Sequence, residues 1–78
     1  MNLKNRLNPE LCDAMDTDPD RALTKTIIPA VKAERGNLAA TARRLTVDPG
    51  TLRNWQARFQ RLRQAFVDAR VKALSSGT

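Results

Sequence analysis

Three Asx-Pro steps, Asn8-Pro9, Asp18-Pro19 and Asp48-Pro49, constrain this chain more than any other feature. Each sets a side chain that can accept from free backbone N–H groups directly before a residue that has no N–H and whose φ is already helical. Each therefore reads as an N-cap followed by the first residue of a helix. The apolar residues that follow keep helical spacing: Leu11 and Met15, then Leu23, Ile27 and Val31, then Leu52, Trp55 and Phe59. No segment alternates with the period of a strand, and there is no internal repeat. The expected fold is all-α, with helices over 9–15, 19–35, 38–45 and 49–74. Gly36 is expected as a left-handed C-cap, and Asn37 as the cap of the compact third helix. Pro29 falls inside the second helix and is expected to kink or split it, since its ring removes a donor and crowds the preceding turn.

A chain of 78 residues makes one small domain. The pattern divides it into an N-terminal helical arm (1–18), a trihelical core (19–60) and a helix extension (61–78) ending in a Ser-Ser-Gly-Thr tail. With no His, no Tyr and one Cys, Cys12, the chain offers neither an internal disulfide nor a zinc site, and no cofactor is expected. Glu34, Asp48 and Asp68 are dispersed, and there is no glycine-rich phosphate loop or nucleophile–base pair, so neither an enzyme nor a small-molecule substrate is expected. No apolar run approaches the roughly 20 residues that cross a bilayer, and the N-terminus lacks the apolar core of a signal peptide. The expected setting is a reducing cytoplasm, with no membrane partner.

Charge is unevenly distributed. Residues 1–20 carry a net −3, residues 21–34 a net +2 and residues 35–72 a net +7, giving the overall +6. A basic excess of this kind is the electrostatic footprint of a polyanion-binding surface. It coincides with the segment 36–55, which reads as two short helices set at an angle about a turn, the layout of a DNA-reading helix-turn-helix. Leu38, Ala42 and Leu45 line one face of the first helix, Val47 occupies the turn, and Leu52, Trp55 and Phe59 resume the spacing in the second. Gly50, Thr51, Arg53 and Asn54 are left facing outward at the start of the second helix as candidate base readers. Arg53 has the fork that matches guanine O6/N7 and Asn54 the amide that matches adenine N6/N7, while Gly50 permits close approach to the groove. Arg43, Arg44, Arg58 and Arg61 are the candidate phosphate contacts. Trp55, at core spacing, reads as packing rather than as a stacking platform.

The last helix is long. Over 49–74 it would span about 39 Å, and Leu52, Trp55, Phe59, Leu62, Phe66, Ala69 and Ala73 keep a 3-4 alternation through three heptads. A helix-turn-helix core reaches the first three. Leu62, Phe66, Val67, Val71 and Leu74 therefore call for a partner, either the N-terminal residues Leu3, Leu7, Leu11 and Met15 or a second copy, and they are the candidate homodimer interface. Arg58, Arg63, Arg70 and Lys72 flank the stripe, so an antiparallel or crossed contact is expected rather than a parallel zipper.

The residues Gly36-Asn37, Ala42, Val47 and Gly50-Thr51-Leu52-Arg53 resemble the C-terminal helix-turn-helix of the Fis family of nucleoid proteins and related bacterial enhancer-binding regulators, over about 20 residues. Trp55 and the continuing helix through Phe66, Ala69 and Ala73 are also similar to the DNA-binding segment of phage small terminase subunits. The Fis resemblance implies a phosphate contact at Thr51, a base contact at Arg53, and Asn54 in place of a basic backbone contact. It also implies a Fis-like dimer. Pro49 stands where that family has its guanine-reading arginine, and Thr46 where it usually has the glycine of the turn, so its site preference does not transfer. The expected function is reading of duplex DNA by a small bacterial or phage regulator or nucleoid-type architectural factor. The alternatives are a phage packaging or recombination accessory protein and a helical interaction module that does not bind DNA.

Overall fold

The computed structural model of the chain describes residues 8–76, all helix and connecting turns, with no strand among them. The helices are α1 (Pro9–Thr17), α2 (Pro19–Ala22), α3 (Ile28–Ala33), α4 (Leu38–Leu45), α5 (Pro49–Arg58) and α6 (Gln60–Ser76), with a π-helical turn (Leu23–Ile27) between α2 and α3. None is long and apolar enough to cross a membrane. Leu3 and Leu7, expected as possible cover for the last helix, lie outside the described residues.

The expected caps form. The Asn8, Asp18 and Asp48 side chains accept from the N–H groups of Leu11, Arg21 and Gly50, and that of Asn37 accepts from Ala40. Asn8 does a second job, because its amide donates to the Leu45 carbonyl. That carbonyl belongs to the last turn of α4, where helical carbonyls lack partners of their own, so the bond ties α1 to α4.

Pro29 acts differently from a simple kink. Its ring would press on the Lys25 carbonyl of a regular helix and leave it without a donor. The chain widens into the π turn instead: the Ile28 N–H reaches back to the Leu23 carbonyl, and the proline falls in the first turn of α3, where a missing N–H leaves no bond unmade. Helix α3 closes through two successive left-handed residues, Arg35 (φ 57°) and Gly36 (φ 78°), with the Gly36 N–H on the Val31 carbonyl at 2.9 Å. The same closure ends α4, where Thr46 is left-handed (φ 58°) and the Val47 N–H meets the Ala42 carbonyl at 2.9 Å.

The single long helix expected over 49–74 does not form. The chain breaks at Phe59, which is extended (φ −120°, ψ 106°), and restarts as α6, with the N–H groups of Leu62 and Arg63 returning to the Phe59 carbonyl. Neither glycine nor proline marks the site. The cause is tertiary: the break lets α6 turn back against α3 and α5, where Leu62 (0% exposed) and Phe66 (1%) are buried. Each such side chain gains about 1.5–3 kcal/mol by leaving water, more than the roughly 0.5–1.5 kcal/mol net value of a backbone hydrogen bond lost at the break. One core results, running from Leu11 and Met15 of α1 through Leu23, Ile27, Val31, Ala42, Leu45, Val47, Leu52 and Trp55 to Leu62, Phe66 and Ala69 of α6.

This corrects the reading of the last helix as a zipper. Leu62 and Phe66 are core residues of their own chain rather than members of an unpartnered interface, packed where α6 meets α3, α5 and the π turn. Of the expected interface, Val67, Val71 and Leu74 are the residues left exposed.

Candidate nucleic-acid interface

Helices α4 and α5 are joined through Thr46, Val47 and Asp48 and pack against each other. Buried Ala42 and Leu45 of α4, Val47 of the connection, and Leu52 and Trp55 of α5 lock this pair to the core. Trp55, 6% exposed, is a packing residue. Thr41 is fully buried, and its hydroxyl donates to the Asn37 carbonyl at 2.6 Å, so burying it leaves no polar group unsatisfied.

The outer face of α5 carries the candidate base readers. Gly50, Arg53 and Asn54 are exposed and Thr51 is half-buried. Their helix is anchored from below by Leu52 and Trp55, so the outward side chains are presented on a rigid element. Gly50 also has a local role. Its N–H donates to the Asp48 carboxylate at 2.9 Å, and a Cβ on Gly50 would stand 2.8 Å from the Asp48 Oδ2, so the cap is built around the absent side chain.

The four candidate phosphate contacts are all exposed but not equivalent. The Arg44 Nε–H donates to the Glu34 carboxylate at 2.7 Å. Arg61 pairs with Asp20 and donates to the Thr24 hydroxyl at 2.7 Å, which ties the start of α6 to α2 and the π turn. Arg58 lies over the Phe59 ring, 5.4 Å from its centroid. The Arg43 side chain makes no hydrogen bond or ion pair among the described residues. Such exposed pairs are worth about 0–1 kcal/mol each, so an anionic ligand can compete for Arg44 and Arg61, while the Arg43 and Arg58 side chains have no carboxylate partner among the described residues.

Two cations absent from the expected site stand beside it. Arg35 and Arg70 line, together with Arg53, Asn37, Leu38 and Pro49, a shallow cleft of about 720 Å³ between the start of α4, the start of α5 and the middle of α6. Arg70 is 17 residues beyond Arg53 and lines the same cleft through the break at Phe59. Helical periodicity through 49–74 gave no signal of this. Among the described residues no cluster of His, Cys, Asp and Glu has the arrangement of a metal site.

No family model, curated protein or solved structure matches this chain.

Proposed function

We propose that this chain is a sequence-reading duplex-DNA-binding protein, a small transcriptional regulator or nucleoid-type architectural factor. In this reading α4 and α5 act as a helix-turn-helix with α5 in the major groove. The observation that carries it is the outer face of α5: exposed Gly50, Arg53 and Asn54, with Thr51 beside them, on a helix fixed by buried Leu52 and Trp55, within the segment of net charge +7. Arg53 pairs with guanine and Asn54 with adenine, each contributing about 1–3 kcal/mol of discrimination. Thr51 and the start of α5 meet the flanking phosphates. Arg43 and Arg58 add sequence-independent attraction, and Arg44 and Arg61 join once the DNA draws them from Glu34 and Asp20.

A role in binding rather than catalysis agrees with what the acidic groups near α5 do. Glu34 holds Arg44, and Asp48 caps Gly50, so both are spent on architecture. The pairing surface for a homodimer is reduced to Val67, Val71 and Leu74 on the outer side of α6. Two copies joined there would read half-sites about one helical turn, roughly 34 Å, apart or bend the DNA to meet a shorter spacing.

The test is selection of bound duplexes from a random DNA pool. An enriched motif with guanine and adenine at adjacent or near-adjacent positions supports the reading. A pool that stays random after repeated rounds at moderate salt contradicts sequence reading, and failure to retain any DNA contradicts binding.

A further inference from the structure

The cleft beside α5 is lined by three arginines from parts of the chain far apart in sequence: Arg35 after α3, Arg53 on α5 and Arg70 on α6. One carboxylate, Glu34, shares the lining, and it is already engaged by Arg44 at 2.7 Å. The cleft therefore presents a concentrated excess of positive charge that no group within it neutralises. Arg70 is fixed there rather than free to swing away. Its Nε–H donates to the Gly36 carbonyl at 3.0 Å, and its stem packs against the Gly36 backbone so closely that a Cβ on Gly36 would lie 2.6 Å from the Arg70 Cγ. With Nε anchored, the two terminal nitrogens remain as donors, and much of the ordering cost of a long side chain is met before any ligand arrives.

We infer that this cleft holds a phosphate of the DNA backbone, with Arg35 and Arg70 as its clamp and Arg53 at the edge between that phosphate and the bases. The inference rests on the DNA-binding reading and deepens it: α6, which the sequence marks as an association helix, becomes a DNA-contacting element through Arg70. The bound ligand is a phosphodiester because the donors are planar, multivalent and cationic, the cleft is open on its outer side, and Arg53 of the reading helix forms one wall. Register on the duplex then follows: a strand gripped between α3 and α6 fixes how far the start of α5 enters the groove.

The experiment compares Arg35→Gln, Arg70→Gln and Lys25→Gln with the unaltered chain, by fluorescence anisotropy on a random duplex and on a selected one over a range of salt. Lys25 is exposed on the π turn and does not line the cleft, so its variant controls for loss of one charge. The Arg35 side chain makes no hydrogen bond or ion pair among the described residues, so its variant is readable even if Arg70→Gln loosens the Gly36 contact. The expected result for each arginine variant is an affinity about tenfold lower on both duplexes, with the log–log salt slope shallower by about 0.9, and a Lys25 variant close to the parent. If the parent binds and Arg35→Gln and Arg70→Gln match Lys25→Gln in affinity and slope, the clamp is refuted while the DNA-binding reading survives. If the parent fails to bind either duplex, both fall together.

Discussion

Arg70 and Gly36, 34 residues apart, are joined by a 3.0 Å hydrogen bond from the arginine Nε to the glycine carbonyl, at a point where two segments of the chain touch backbone to side chain. A Cβ on Gly36 would stand 2.9 Å from the Phe66 carbonyl oxygen and 3.1 Å from the Arg70 backbone nitrogen. The glycine is thus required twice, once by its φ of 78° and once by the approach of α6. Gly36→Ala is expected to lower stability by about 2 kcal/mol or more, combining left-handed strain with displacement of α6. Urea unfolding followed by circular dichroism checks this through the midpoint.

Thr46 closes α4 with φ 58°, a conformation that a β-branched residue adopts only under strain. Thr46→Gly relieves it, and the gain outweighs the extra freedom of glycine in the unfolded chain. The expected outcome is a rise in stability of about 0.5–1 kcal/mol, read as a higher thermal midpoint with DNA affinity unchanged.

The break at Phe59 gives Phe66 a different role from Val71 and Leu74. Phe66 is 1% exposed, so Phe66→Ala opens a cavity in the monomer and costs about 3–5 kcal/mol, enough to unfold a large share of so small a domain. Val71 and Leu74, 57% and 75% exposed, are expected to tolerate serine with little loss of fold while shifting a dimer toward monomer. Light scattering of the parent and of the Val71→Ser/Leu74→Ser double variant separates these effects. A parent mass of one chain removes the dimer.

How much of this was legible in the residues divides along a physical line. The caps at Asn8, Asp18, Asn37 and Asp48 are local bargains between a side chain and the next turn, so the dipeptides expose them. The disturbance at Pro29 was legible too, though its form, a π turn upstream of the ring, depends on neighbouring backbone. The break at Phe59 was not, because residues 56–62 hold no breaker and the 3-4 spacing reads the same in a straight or a folded-back helix. Everything that depends on the return of α6 was hidden with it: the burial of Leu62 and Phe66, the pairing of Arg61 with Asp20, and the arrival of Arg70 beside Arg53.

Within the proposed reading surface, substitutions are expected to divide by what they contact. Arg53→Ala and Asn54→Ala remove base-edge partners and should each cut the preference for a selected site over random duplex by about 5- to 100-fold. Arg43→Ala should weaken both duplexes equally, leaving the preference intact. Arg61→Ala should weaken them less than Arg43→Ala, since Arg61 must first leave Asp20 and Thr24. Competition binding with both duplexes in one assay reads all four variants.

The central claim, that this is a DNA-binding protein, is tested most directly by titrating a duplex with the unaltered chain across salt concentrations. Neutralisation of about four to six phosphates per chain by the +7 segment predicts binding at about 50 mM salt, with log affinity falling against log salt at a slope near −4 to −5. Absence of binding at about 50 mM salt, or an affinity that does not change with salt, would contradict the account.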